Sequence, residues 1–238
     1  INPDTVLGIN LSSNVAELQK LRKIPIQLTQ YLKLQNLDLS GNSIQKIEHL
    51  DDLEKLRKLD LSCNQIGRLD GIGRLTCMVK LNLSGNLITR LSSELANLTV
   101  LEELDLSGNN IQSLLEFRHL KPCAKLWILH CRTNPVDQVR DCKEFLVYHL
   151  PQLEYLDQTP VTTEIRSKAQ LVFGNHAIEN EIWQQQMERK QSLAAEQANK
   201  QKSSLLEENE KLKAQLEFQN ELLVKKSEET TAAQERLS

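Results

Sequence analysis

The sequence predicts an α/β solenoid of about six coils, with a parallel sheet on its concave face, a C-terminal cap and a long helix beyond. Three observations carry this expectation. One spelling recurs four times between Leu34 and Leu114, with its asparagines 22, 22 and 23 residues apart at Asn42, Asn64, Asn86 and Asn109. Aromatic residues make up only 4% of the chain, so leucine and isoleucine must build the core. No proline follows Pro160, and only Gly174 interrupts the helix-forming composition from there to Ser238.

The spelling reads Leu34-x-x-Leu37-x-Leu39-x-x-Asn42-x-Ile44-x-x-Ile47, and again Leu56, Leu59, Leu61, Asn64, Ile66, Leu69. Its third copy runs Met78, Leu81, Leu83, Asn86, Ile88, Leu91, and its fourth Leu101, Leu104, Leu106, Asn109, Ile111, Leu114. The period is that of leucine-rich repeats. Leu59 and Leu61 alternate with Lys58, Asp60 and Ser62, which reads as a short strand with one buried face. Asn64 stands where the chain turns, placed for its amide to bond the backbone of neighbouring coils. One coil cannot bury enough apolar surface to fold, so the coils must stack.

Before these copies, Val6-x-x-Ile9-x-Leu11-x-x-Asn14 fits the template with 28 residues to the next repeat asparagine. The extra length around Leu18 to Tyr31 predicts a longer or more helical convex segment. After them comes a sixth coil, Leu126-x-x-Leu129-x-Cys131-x-x-Asn134-x-Val136, in which Cys131 takes a buried leucine position. Pro135 then prevents a regular continuation. Residues 141–150 read as a cap helix with an apolar stripe through Phe145, Leu146, His149 and Leu150, and residues 151–157 as a final half-coil.

Asn134-Pro135-Val136, the helix after it, and Leu150-Pro151-x-Leu153-x-x-Leu156-Asp157 resemble the C-terminal cap of the SDS22-like class of leucine-rich repeats. The Leu-Asp-Leu-Ser-x-Asn core of the repeats is similar to the same class. The resemblance covers roughly residues 1–160 and implies the solenoid fold. Its members serve several non-catalytic roles, from phosphatase regulation to spliceosomal, axonemal and centrosomal assembly.

The chain therefore divides into a capped solenoid over 1–160 (cap about 134–160), a linking helix over 161–190 and a coiled coil over 191–238. Thr162 or Thr163 is the expected N-cap of the linking helix, with Glu164 favoured in its first turn. Its apolar residues, among them Val172, Phe173 and Trp183, either pack back on the solenoid or stay on a continuous exposed helix. Farther on, Leu205, Asn209, Leu212, Leu216 and Leu223 fall on heptad core positions. A leucine-flanked Asn209 at a core position predicts a parallel homodimer.

A net charge of −3 argues for neither direct nucleic-acid binding nor a membrane surface. No apolar run approaches the roughly 18 residues of a membrane span, and no signal-peptide pattern opens the chain. The chain opens at Ile1 and stops within a helical pattern at Ser238, as a piece of something longer would. Cys63, Cys77, Cys123, Cys131 and Cys142 are odd in number and lack paired spacing, which suits free thiols in a reducing compartment. The motifs of enzymes are missing: there is no phosphate-binding glycine loop, nucleophile elbow or zinc-protease helix. Cys131 points away from His130 on the strand, and no paired Cys-x-x-Cys accompanies these residues or His119 and Cys123, so no metal, cofactor or catalytic residue is expected.

The concave sheet is the surface with functional potential, because it is extended and folding is not expected to require its side chains. Its outward residues include Lys58, Lys80 and Glu103 in one column, and Asp38, Asp60, Asn82 and Asp105 in the next. Trp127, Ile128, His130 and Arg132 break the monotony in the last coil, as an interface hot spot would. The expected function is a non-catalytic protein–protein interaction scaffold with a protein partner on the concave face. A short solenoid of this class feeding directly into a coiled coil, with the Leu-Asp-x-x-Pro-Val-Thr junction at Leu156–Thr162, resembles centriolin-like and dynein-regulatory-complex-type proteins. The resemblance implies a cytoplasmic, cytoskeletal setting (centrosome, basal body or cilium) with a tubulin-associated or other protein partner. Two alternatives remain: a regulatory subunit of a protein phosphatase, and an adaptor for an RNA-binding protein in the spliceosome.

Overall fold

The computed structural model describes residues 2–13 and 20–174. They lie within the first of two compact units, Ile1–Asn180. Residues 175–238, and with them the heptad positions Leu205, Asn209, Leu212, Leu216 and Leu223, lie outside the described residues, as does Asn14.

Each template copy forms a strand of only three residues. In order these are β1 (Gly8–Asn10), β2 (Asn36–Asp38), β3 (Lys58–Asp60), β4 (Lys80–Asn82), β5 (Glu103–Asp105) and β6 (Ile128–His130). The half-coil adds β7 (Tyr155–Leu156), and β8 (Thr159–Pro160) follows. Spatial order equals chain order, and β1 to β7 pair in parallel with no slippage: Leu37, Leu59, Leu81, Leu104 and Leu129 stand opposite one another. The convex side carries short 3₁₀ segments, Ile26–Gln30, Ser93–Asn97 and Leu114–Leu120, in place of α-helices. The first of these occupies the long first coil, where a more helical segment was expected.

The core runs as stacked layers of leucine and isoleucine. Leu39, Leu61, Leu83 and Leu106 have no exposed surface at all. What fixes the coils to each other is the asparagine ladder. Asn86 Oδ1 accepts from the Ile66 N–H at 3.0 Å, while its Nδ2 donates to the Leu61 and Leu83 carbonyls at 2.9 and 3.0 Å. Asn64, Asn109 and Asn134 repeat the same three contacts one coil along. Each amide thus satisfies buried backbone groups in two coils at once, groups that water cannot reach.

The turns after β2 to β6 each take a left-handed residue at the same place. Gly41 (φ 70°) supplies it, and a Cβ there would lie 2.3 Å from the Ser13 carbonyl oxygen. In the next coil Cys63 takes the same place at φ 54°, a conformation that costs a non-glycine residue about 1 kcal/mol.

The sheet ends chemically as well as geometrically. In inner coils the backbone N–H after the strand bonds the next strand, as Leu106 N–H does to the His130 carbonyl at 2.8 Å. Beyond β6 that partner is a side chain: Asp157 Oδ1 accepts from Cys131 N–H at 2.8 Å and Arg132 N–H at 3.1 Å. Asp157 and Gln158 both have positive φ (49° and 65°), as a two-residue type I′ connection requires. That turn reverses the chain into β8, antiparallel to β7. The sequence reading missed both β8 and the role of Asp157.

The cap helix forms as α1 (Cys142–His149), and Phe145, Leu146 and His149 are buried as expected. The linking helix begins as α2 (Thr163–Phe173), with Thr162 Oγ1 accepting from Ile165 N–H. α2 lies against α1: Phe173 is fully buried with its ring 5.6 Å from that of Phe145. Arg166 donates to the Pro151 and Leu153 carbonyls at 2.8 and 2.6 Å, and Lys168 bonds Glu144. Burial pushes the Glu144 carboxyl up, but the bonded ammonium outweighs it and holds the group below its ordinary value. Residues 161–174 therefore pack back on the cap; the rest of the 161–190 segment lies outside the described residues.

Replacing Asn86 by leucine keeps the branched shape and orphans the buried Ile66 N–H, while the Leu61 and Leu83 carbonyls retain the Asn64 and Asn109 amides. The expected cost is about 1–3 kcal/mol, the cost of one unsatisfied buried group. Urea unfolding followed by circular dichroism measures it, and a loss under about 1 kcal/mol would show that the ladder does not hold the coils together.

Candidate protein-interaction face

Alternation along each strand sends one leucine into the core and its neighbours into the concave face. The parallel register then stacks the outward residues in columns. The first runs Gly8, Asn36, Lys58, Lys80, Glu103, Ile128 and Tyr155, and the second Asn10, Asp38, Asp60, Asn82, Asp105 and His130. A cavity of about 560 Å³ opens over β1 to β5, with Asp38, Lys58, Asp60, Lys80, Asn82, Glu103 and Asp105 in its lining.

The two columns differ in what the fold demands of them. In the second, Asp38 Oδ1 accepts from the Ser40 N–H at 3.0 Å and from its hydroxyl at 2.7 Å. Asp60 with Ser62, Asn82 with Ser84, and Asp105 with Ser107 repeat this. Asp60 Oδ2 also accepts from Asn82 Nδ2 at 3.0 Å, which bridges β3 and β4. The expectation that concave side chains are dispensable for folding is corrected here. These carboxylates and amides hold the turn that follows each strand.

The first column carries no such duty. Lys58 makes no ion pair among the described residues, and Lys80 reaches Glu103 Oε2 at 2.5 Å. Toward the cap the column turns apolar. Ile128 is half-buried, Tyr155 is 41% exposed, and the Tyr155 ring meets Trp127 edge-on at 6.0 Å. Trp127 precedes β6 and is half-buried, His130 sits in the second column, and Arg132 is exposed with Nε 3.9 Å from Asp157 Oδ2. Tyr155 was not among the expected contact residues. A two-residue strand has no period to mark it, although its parallel pairing with Ile128 would have placed it.

The cysteines separate by position. Cys63 and Cys77 are exposed; Cys123, Cys131 and Cys142 are buried, and none forms a disulfide. Cys123 Sγ donates to the Leu95 carbonyl, and Cys131 points into the core while His130 faces outward, so His130 and Cys131 do not converge. Burial lifts the Cys123 thiol to about 11. Burial first, then the Asp137, Asp157 and Glu144 carboxylates, lift Cys142 to about 12. Burial and then the Asp157 charge raise Cys131 well above its ordinary value.

A raised thiol favours the protonated folded state. Its contribution is complete below the ordinary value of 9.0 and is lost as pH climbs toward about 11 to 12. Maleimide at neutral pH should label Cys63 and Cys77 quickly and the other three only after denaturation, and the melting temperature should fall above about pH 9. Rapid native labelling of all five, read by mass spectrometry, would contradict the burial.

Comparison with known proteins places these features. The family described as leucine-rich repeat matches residues 15–183. The U2 small nuclear ribonucleoprotein A′ of Schizosaccharomyces pombe is 34% identical over 74 residues, covering 31% of this chain and 31% of that protein. The leucine-rich repeat-containing protein 36 of Mus musculus is 42% identical over 78 residues, 32% of this chain and 10% of that one. The chain thus spans a third or less of the relatives it matches in sequence. Among solved structures, a chain of the Drosophila melanogaster SNF/U2A′ complex superposes with a TM-score of 0.58 at 29% identity. That match covers 71% of this chain and 95% of the other.

Proposed function

The chain belongs to the leucine-rich repeat family, and from that premise we propose that it is a non-catalytic scaffold that holds a folded protein partner on its concave face. The observation that carries this is the first column. Its side chains contribute to neither the core nor the turns, yet the register lines them up across seven strands as one surface with lysine, glutamate, isoleucine and tyrosine in succession. A surface free of folding duty and varied in chemistry suits recognition.

Charge reversal of Lys58 and Lys80 to glutamate tests it. The double variant should melt within a few degrees of the parent, since neither lysine is buried, and should lose partners that the parent captures and crosslinks. An unchanged partner set would remove the concave face from the proposal.

A more specific reading is that the partner is an RNA-binding protein. The superposition on a chain of the SNF/U2A′ complex and the identity to U2 small nuclear ribonucleoprotein A′ favour it. The cytoskeletal setting with a tubulin-associated or other protein partner stands beside it, implied by the resemblance of the solenoid, its Leu156–Thr162 junction and the coiled coil beyond to centriolin-like proteins. In that reading Leu205, Asn209, Leu212, Leu216 and Leu223 form a parallel two-stranded coil. Light scattering separates the outcomes: residues 1–238 should have twice the monomer mass and residues 1–175 the monomer mass. A monomer in both would exclude the dimer.

A further inference from the structure

Two like charges stand directly opposite each other on the concave face, Lys58 against Lys80 in adjacent parallel strands. Such a pair is destabilising at a spacing of about 4.8 Å, and nothing in the fold needs it. One of the two is relieved by Glu103 on the next strand; the other is not relieved among the described residues. Further basic residues flank the pair, while Asp38, Asp60 and Asp105 of the second column line the same cavity. Arg57 precedes Lys58, and Lys33 and Lys55 hold equivalent template positions in successive coils, all three exposed. At β5 the sign changes with Glu103, and by β7 the column is apolar, ending in the exposed Tyr155 edge-on to Trp127.

We propose that this column binds a short acidic segment of a partner protein, with two or so carboxylates on Lys58 and Lys80 and an aromatic or large aliphatic side chain against Ile128 and Tyr155. This rests on the scaffold reading and names the chemistry that the scaffold recognises. From β3 to β7 is four strand steps, or about 19 Å, which an extended peptide crosses in about six residues. The segment therefore carries its anchor about five or six residues from its acids. The neighbouring Asp60 is anchored by Ser62 and Asn82 and makes no ion pair with either lysine among the described residues. A nucleic-acid strand fits less well. Its charge is uniform along its length, whereas the column reverses sign at Glu103 after two lysines.

The test uses the whole chain and a fluorescein-labelled peptide of about ten residues, Glu-Glu at one end and Phe about five residues on, joined by Gly and Ser. Fluorescence anisotropy in about 50 mM salt should show binding that weakens in about 500 mM salt, as screened charge pairs require. Lys58→Glu should weaken it by about tenfold, whereas Glu103→Gln, which releases Lys80, should tighten it by about threefold. Tyr155→Ala should weaken the Phe peptide more than one with Gly in its place. Binding that ignores Lys58→Glu, no binding at low salt, or a tighter Lys58-dependent complex with an oligouridylate of the same length would each overturn the proposal. If the peptide fails while the Lys58/Lys80 double variant still loses its captured partner, the scaffold reading survives and the acidic-segment reading does not. If partner capture is also unchanged, both fall.

Discussion

Each buried asparagine amide in this solenoid must be satisfied by two coils at once, and most of the architecture follows from that requirement. Asn86 reaches the Leu61 carbonyl of the coil before it and the Leu83 carbonyl of its own coil, and accepts from Ile66 N–H. The inter-coil bonds are possible only if adjacent coils keep the same register, so a coil cannot slide without orphaning a buried N–H such as that of Ile66. Strands β2 to β6 are three residues long, and the amide takes over four residues past the last residue of each. The convex side is then free to vary, and it does, from the irregular loops of the second and third coils to the 3₁₀ segments Ser93–Asn97 and Leu114–Leu120.

A ladder of this kind has an end problem, since its last member needs a coil that does not exist. The C-terminal solution is Asp157, whose carboxylate replaces the missing strand for Cys131 and Arg132 N–H. α1 and α2 then cover the exposed end of the core with Phe145, Leu146 and Phe173, each nearly or wholly inaccessible. The other end is built differently. Val6, Ile9 and Leu11 occupy the template positions of Leu34, Leu37 and Leu39, yet all three remain only half-buried, and Leu7 is 50% exposed. The two ends of the solenoid therefore differ in how completely their apolar layers are covered.

The repeat was legible because its chemistry is local and recurrent: Leu59, Leu61 and Asn64 each state their burial or turn role within six residues. The cap helix and Thr162 were legible for the same reason, through a 3.6-residue stripe and a hydroxyl before a helical run. What the sequence hid depends on register. Asp38, Asp60 and Asp105 read as free concave carboxylates, because only the strand's end geometry shows each one bonded to the serine two residues on. The Lys80–Glu103 pair, 23 residues apart, and the Lys58–Lys80 opposition emerge only once coils are stacked. β8 and Tyr155 escaped because two-residue strands carry no period.

This separation has a consequence for how such a chain is specialised. Changing a leucine or asparagine of the template disturbs two coils, and changing an aspartate of the second column disturbs a turn. One concave position per coil escapes both constraints: Gly8, Asn36, Lys58, Lys80, Glu103, Ile128 and Tyr155. Substitution there alters charge, size or aromaticity with little effect on stability where the position is exposed, as at Asn36, Lys58, Lys80 and Tyr155, since surface changes are worth about 0.5 kcal/mol or less. Partner choice can therefore be written along a single line about 29 Å long, six strand steps of about 4.8 Å, while everything around it is held by the fold. The like-charged Lys58 and Lys80 mark this line well, because a pair that folding disfavours persists only at positions where something other than folding sets the residue.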